Sequence, residues 1–188
     1  MINLFAYIVI FILFIVIVFF LGRSLVILFT ILTEVPYLPS NKAYKEAVKY
    51  LDIKAGDKVL DMGCGDGRVL RYTSKMHPEA DFIGIDRNIF LVIYAEILKV
   101  LQRRENLHFK HVNIHNFDLS SFDKIYVYLL PGMLDKIFLK RKKELKKGCI
   151  VVSFHYNLGK KFCNINNVVK YPVKYGNKQE YIFKWVNE

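Results

Sequence analysis

At 188 residues the chain has room for one core plus an appendage, and not for a separate recognition domain beside a catalytic one. Its 28 Lys and Arg against 17 Asp and Glu leave a formal charge of +11, which admits an anionic lipid surface or a nucleic acid as partner, although no aromatic-rich RNA-binding signature accompanies the charge. Three cysteines (Cys64, Cys149, Cys163), odd in number and without a C-x-x-C pair, argue against a disulfide framework and against a zinc site, so no metal is expected and a reducing compartment fits.

Residues 2–22 carry no charged side chain and are almost entirely Ile, Phe, Val and Leu. A run of about 20 such residues is long enough to cross a bilayer as a helix. A cleaved signal peptide would show a basic leader, a shorter apolar core and a small-residue cleavage site. Met1 instead leads straight into the apolar run, and Gly22-Arg23-Ser24 is a poor site for cleavage. The expectation is a single-pass anchor; a helix buried in a soluble core is the alternative. Leu25–Leu32 is too short to cross again, and either continues the first helix along the interface or packs on the domain. Arg23 and the basic remainder put the C-terminal side in the cytoplasm by the positive-inside tendency. Residues 1–33 are read as anchor and juxtamembrane helix, and 34–188 as the folded domain.

Pro36 and Pro39 break the helical pattern, and Ser40 or Asn41 caps a helix over Lys42–Leu51. After the turn at Gly56-Asp57 comes a first strand, Lys58–Met62, then a helix over Gly67–Met76 that ends at His77-Pro78. A second strand covers Asp81–Ile85 with Asp86 at its tip. Leu91, Ala95, Leu98 and Leu101 recur at helical spacing within Ile89–Arg103. A third strand is expected at Leu107–Asn113. A fourth, Lys124–Leu130, is continuously apolar as a doubly covered parallel strand should be, and Pro131-Gly132 stops it. A basic helix over Leu134–Lys146, a fifth strand at Cys149–Phe154 and a closing hairpin (Val168–Tyr171 and Glu180–Val186 around Gly176-Asn177) complete the chain. Strands alternating with helices argue for a parallel sheet covered on both faces, here with an antiparallel edge.

The stretch that carries chemistry is Val59-Leu-Asp-Met-Gly-Cys-Gly-Asp-Gly-Arg-Val-Leu70. An apolar strand delivers an acid, Asp61; three glycines at alternate positions follow, and a helix starts behind them. Such glycines let a ligand lie against bare peptide groups, and a helix start presents unpaired N–H groups. The third glycine comes one residue earlier than in the G-x-G-x-x-G phosphate cradle, and the acid suits an ammonium or hydroxyl groups rather than a pyrophosphate. A tight turn with no ligand is the competing reading, but it needs one glycine and not three. Asp86, 25 positions after Asp61, ends the second strand, where one carboxylate can accept from two neighbouring hydroxyls.

The acid followed by G-x-G-x-G resembles motif I of the class I S-adenosylmethionine (SAM) methyltransferases, and Ile83-Gly-Ile-Asp86 resembles their second motif. The resemblance implies an α/β, Rossmann-like seven-stranded sheet, parallel with an antiparallel C-terminal edge hairpin and with the last strand inserted beside the fifth. It implies SAM as cofactor. Asp61 would act on the ammonium, often through water, with Gly63 and Gly65 facing the methionine part and Asp86 taking the ribose hydroxyls. Asn113 stands where the family often holds an acid for the adenine amino group, and Ile114 would lie on the adenine face. Cys64, Gly67 and Arg87 complete the set of cofactor-contacting positions. No Asn/Asp-Pro-Pro-Tyr/Phe motif follows the fourth strand; Tyr128-Leu-Leu-Pro-Gly-Met133 stands there, which argues against the DNA- and glutamine-modifying relatives.

Val35-Pro-Tyr-Leu-Pro-Ser40, motif I and Leu130-Pro-Gly-Met-Leu134, in that order behind an apolar N-terminus, resemble the membrane-anchored lysine methyltransferases of the adenine nucleotide translocase and the ATP synthase c subunit, with their small prokaryotic relatives. The likeness covers about residues 35–155. It implies methyl transfer to a lysine of a membrane protein, with the loop around Tyr37 helping to cover SAM. Transfer to a lipid head group, a small molecule or RNA, and a non-catalytic SAM-binding protein, stay open as alternatives. The motifs fix no general base. Tyr128, His155 and Glu34 are candidates on the acceptor side, with Asp135 beside them; a core strand tyrosine and a surface or capped histidine are the favoured readings of the first two. The lysines of the basic helix (Lys136, Lys140, Lys142, Lys143, Lys146, Lys147, with Arg141) read as a solvated face, as a lipid-facing patch or as a nucleic-acid contact, in that order.

Overall fold

The computed structural model describes residues 4–32, 43–159, 161–162, 167–175 and 178–188, with the backbone alone at 25–32, 175 and 178. Glu34, Tyr37, Cys163, the Ser40/Asn41 cap and the Gly176-Asn177 turn lie outside the described residues. The chain divides into two compact units, Met1–Leu38 and Pro39–Glu188.

In the first unit, α1 runs unbroken from Leu4 to Leu32, so the second apolar stretch continues the first helix. Its Leu4–Ser24 portion has a mean hydropathy of 3.4 and is long and apolar enough to cross a bilayer. None of that portion is buried.

The second unit is built on a seven-stranded sheet: β1 Lys58–Met62, β2 Asp81–Asp86, β3 Leu107–His111, β4 Lys124–Val127, β5 Ile150–Phe154, β6 Val169–Tyr175 and β7 Lys178–Val186. The order is β3-β2-β1-β4-β5-β7-β6. β1 to β5 are parallel, and β7 runs antiparallel between β5 and β6. Alternate strand residues supply two cores. Val59, Phe82, Tyr126, Val152 and Phe154 pack with α2 (Tyr44–Ala47), α3 (Arg68–Met76) and α4 (Ile89–Leu101). Leu60, Met62, Ile125, Val127 and Val151 pack with α5 (Pro131–Arg141). Strand order reverses between β1 and β4, which opens a crevice at the C-terminal ends of those strands.

Several boundaries differ from expectation, each for a local reason. Lys42–Leu51 was expected as one helix; its described part is α2 followed by a 3-10 turn, Val48–Leu51, closed by Asp52 at φ 51°. α4 stops at Leu101 rather than Arg103, because Arg103 turns left-handed at φ 52°. β3 stops at His111 rather than Asn113, whose side chain instead caps a 3-10 turn, Ile114–Asn116. β4 ends at Val127, three residues early, and α5 begins at Pro131, three residues before the expected Leu134. The proline that halts a strand also opens a helix, since the first helical position needs no N–H and favours its fixed φ. The hairpin strands are longer than expected, and Pro172 is accommodated because β6 is an edge strand.

Candidate active site

β1 delivers Asp61 into the crevice. It is 2% exposed, and its Oδ2 has no hydrogen-bond partner among the described residues. Burial first, then the nearby charges of Asp86 and Asp66, hold its carboxyl well above the usual carboxylate range. A buried oxygen with a free lone pair is costly in an empty site and useful beside a cation. Across the β1–β4 pairing, Tyr126 stands opposite Asp61, and its hydroxyl is a second buried atom without a described partner.

The glycine loop follows. Gly63, Gly65 and Gly67 all have positive φ (80°, 55° and 72°), which side chains rarely adopt. Gly63 N and Cys64 N donate to Ile85 O at 2.8 and 3.0 Å, which ties the loop to the end of β2. A Cβ on Gly67 would lie 2.3 Å from Phe109 Cζ, and one on Gly63 2.7 Å from Leu129 Cδ2, so the loop is packed against β3 and the segment after β4. Asp66 accepts from Arg68 N, Nε and Nη2 at the start of α3. Burial opposes its ionisation, but the Arg68 guanidinium outweighs burial and keeps its carboxyl below the ordinary value.

Asp86 completes the constellation. Its Oδ2 accepts from Gly65 N at 2.8 Å and its Oδ1 from Asn88 N at 2.8 Å. The two expected motifs therefore meet through a hydrogen bond. With the Arg87 N–H also bonded to this carboxylate, one of its four lone pairs is left for a ligand hydroxyl. Burial raises the Asp86 carboxyl above its usual value despite the bonds from Asn88, Gly65 and Arg87 N–H. Asn88 in turn caps α4 by accepting from Phe90 N and Leu91 N.

The other expected positions have the following surroundings. The Cys64 thiol is buried in the core against the space above Gly84, and burial pushes it well above the ordinary thiol value. The Asn113 carbonyl accepts from His115 N at 3.1 Å, so it serves as a cap. Ile114 is buried in the α5-side core, and its carbonyl accepts from Arg141 Nη1. Arg87 is exposed, and its carbonyl bonds the His111 ring. Sequence reasoning passed over Tyr126, Asn88 and Gly84. Their signals were the pairing of β1 with β4, an Asn two residues past the acid, and a glycine inside a strand, where a Cβ would lie 2.6 Å from Phe109 Cδ1 and 2.9 Å from Cys64 Sγ.

On the neighbouring strand ends, Tyr128 and His155 do come together. Tyr128 stacks on Tyr156 with centroids 5.9 Å apart, and His155 meets Tyr156 edge-on at 4.5 Å. His155 follows β5 in the left-handed region, φ 67°, with its N–H donating to Tyr181 O. Its Nδ1 lies against the carboxylate of the buried Glu180 on β7, a partner that the sequence did not single out. Asp135 belongs to a different arrangement: it accepts from Phe162 N at 3.2 Å and fills the space beside Gly159. No group of three metal-ligating side chains occurs among the described residues.

An acid-tipped strand, a left-handed triple-glycine bend and a second acid hydrogen-bonded to that bend, at the switch point of a sheet with an antiparallel last strand inserted beside the fifth, define a class I SAM-dependent methyltransferase. The buried Asp61 oxygen, without a partner among the described residues, fits SAM, whose ammonium needs such an acceptor. Solved structures share the fold. An RNA methyltransferase from Salinibacter ruber in complex with S-adenosyl-L-homocysteine superposes with a TM-score of 0.67 at 22% identity, over 79% of this chain and 93% of that one. The precorrin-6y C5,15-methyltransferase from Geobacter metallireducens gives 0.60 at 15% identity, over 79% and 90%. A protein-lysine N-methyltransferase of Saccharolobus islandicus is 26% identical over 157 residues, 81% of this chain and 94% of that protein. A tRNA (guanine-N(7)-)-methyltransferase of Rubrobacter xylanophilus is 28% identical over 80 residues, and this chain spans 32% of its length. Residues 61–162, more than half of the chain, match the ANTKMT methyltransferase domain, and the chain belongs to that family.

Proposed function

We propose that the protein is a membrane-anchored methyltransferase that modifies a lysine ε-amine of a membrane protein, with residues 1–33 as the anchor, 34–188 as the catalytic domain, and that domain on the cytoplasmic side. The observation that carries the SAM site is an Asp61 oxygen without a partner among the described residues, beside an Asp86 carboxylate locked to the glycine loop. Asp61, with Tyr126 opposite it, would hold the methionine end; Asp86 would hold the ribose. Bound there, SAM supplies an electrophilic methyl group on a sulfonium.

The acceptor side rests on this chain's own residues. A lysine ammonium has no lone pair and must lose a proton before it accepts a methyl group. The walls formed by Tyr128 and Tyr156 desolvate an entering ammonium, which lowers its pKa. His155 takes the proton on Nε2, and Glu180 holds Nδ1, fixing the tautomer and the ring's direction. The lysine acceptor is supported by family membership and by the Saccharolobus islandicus relative. The anchor is supported by the exposed apolar Leu4–Ser24 segment and by the charge of Arg23 behind it.

Incubating native membranes with methyl-labelled SAM and the full chain tests the proposal. Label in protein that is recovered as methyl-lysine after hydrolysis is expected. Label confined to the lipid extract or to RNA overturns the acceptor and leaves the enzyme class standing.

A further inference from the structure

We infer that the outer face of α4 is a second membrane contact, lying in the interfacial region of a bilayer that contains anionic lipid. The inference rests on the membrane-anchored reading above but concerns a different element. α4 buries Leu91, Val92 and Ala95. A surface helix ordinarily turns polar residues away from its buried face. This one turns out Ile93 (51% exposed), Tyr94 (51%), Ile97 (52%), Val100 (68%) and Leu101 (73%). Ile93, Ile97 and Leu101 follow one another at four-residue spacing, so they form one stripe, and Ile97, Val100 and Leu101 line a single shallow recess with Glu96. Glu96 is turned to the protein, accepting from Phe109 N and pairing with Lys99. Exposed Arg87 precedes the helix and exposed Arg103 follows it, so a cation stands at each end of the apolar stripe.

That pattern fits lipid better than a second copy of the chain. A stable protein interface takes about 20–30 residues a side, far more than this stripe offers. A helix in the bilayer interface needs only one apolar face flanked by cations, and tyrosine is favoured at that depth. Reach permits the contact: residues 33–43, between Leu32 and Tyr44, span at most about 40 Å when extended. α4 also starts immediately after Asn88, two residues from Asp86. Docking along α4 therefore brings the rim of the sheet that holds Asp86 to head-group level, where a lysine just outside a membrane span emerges.

The test uses the full chain in nanodiscs of phosphatidylcholine with phosphatidylglycerol. Cys64 and Cys149 are buried, so a Cys163→Ser background leaves one introduced thiol for an environment-sensitive fluorophore. Three labelled variants are compared: Ile97→Cys on the stripe, Lys75→Cys at an exposed position of α3, and Phe11→Cys in α1. Val100→Cys replaces Ile97→Cys if Trp185 fluorescence shows the latter misfolded. A doxyl quencher carried on shallow acyl positions is expected to quench the label at 97 at least ~2-fold more than that at 75, with aqueous iodide showing the reverse order. Omitting phosphatidylglycerol should lower quenching at 97. A label at 97 as open to iodide as that at 75 overturns the inference, and so does one sheltered from both quenchers, which would mean protein covers the face. Equal quenching without phosphatidylglycerol overturns the anionic preference. If the Phe11 label escapes lipid quenching, the anchor itself fails; if that label is quenched and 97 is not, the α4 contact alone fails.

Discussion

Replacing Asp61 with Asn should make the protein more stable and less able to bind its cofactor. The Asp61 carboxylate is 2% exposed, one of its oxygens is unpartnered among the described residues, and Asp86 and Asp66 add like charge. A buried polar group left unsatisfied costs about 1–3 kcal/mol, and more when charged. The amide keeps the volume and part of the unmet hydrogen bonding but removes the charge, so a net gain of about 1–2 kcal/mol is expected without SAM, or roughly 2–8 °C in Tm for a domain of this size. The gain depends on pH. A carboxyl raised in the folded state binds more protons there than in the unfolded chain, so its contribution falls as pH rises from about 3.9 through the folded value. Asp61→Asn lacks that loss, so its advantage over wild type should be smallest at or below about pH 4 and should grow as the pH is raised. The single tryptophan, Trp185, is buried against Phe162, and its fluorescence reports unfolding of the domain in detergent. Added SAM should raise the wild-type Tm and leave the variant unmoved. A variant less stable than wild type at the higher pH without SAM would show that Asp61 is a satisfied structural carboxylate, and the reasoning would fail.

Gly84→Ala sets a Cβ against Phe109 and Cys64 and should cost about 1–3 kcal/mol by overpacking; thermal unfolding checks it, and adding Phe109→Leu should restore part of the loss. His155→Gly relieves a left-handed residue but leaves the buried Glu180 carboxylate without its partner and removes the proposed proton acceptor, so unfolding should show a net loss of about 1–3 kcal/mol while kcat for lysine transfer falls about 100-fold and SAM affinity holds. Deleting residues 1–33 should spare SAM binding, read by titration, and weaken methylation of a membrane acceptor, read with labelled SAM on native membranes.

Much of the fold was legible because strand and helix alternate with clear turn signals, and because the two acids sit at strand ends that only a parallel sheet brings together. Asp61 and Asp86 stand out for that reason: strand-end acids beside glycines have few structural uses. Asn113 and Ile114 carry a weaker signal, because a single Asn after a strand caps a turn as readily as it meets a ligand, and here its side-chain oxygen accepts from His115 N. Cys64 lies between two glycines, and only coordinates tell that its side chain points into the core. Pro131 misled because one residue type ends strands and begins helices. The His155–Glu180 pair was half visible: Glu180 is 25 residues away, brought near by β7 inserting beside β5.

Titrating SAM into the full chain and its Asp86→Ala variant measures directly what the carboxylate pair at the glycine bend contributes to binding. Loss of charged hydrogen bonds worth about 1.5–3 kcal/mol predicts roughly 10- to 150-fold weaker binding to the variant, with its fold retained by Trp185 fluorescence. Equal affinity in both proteins would contradict the assignment of the pocket.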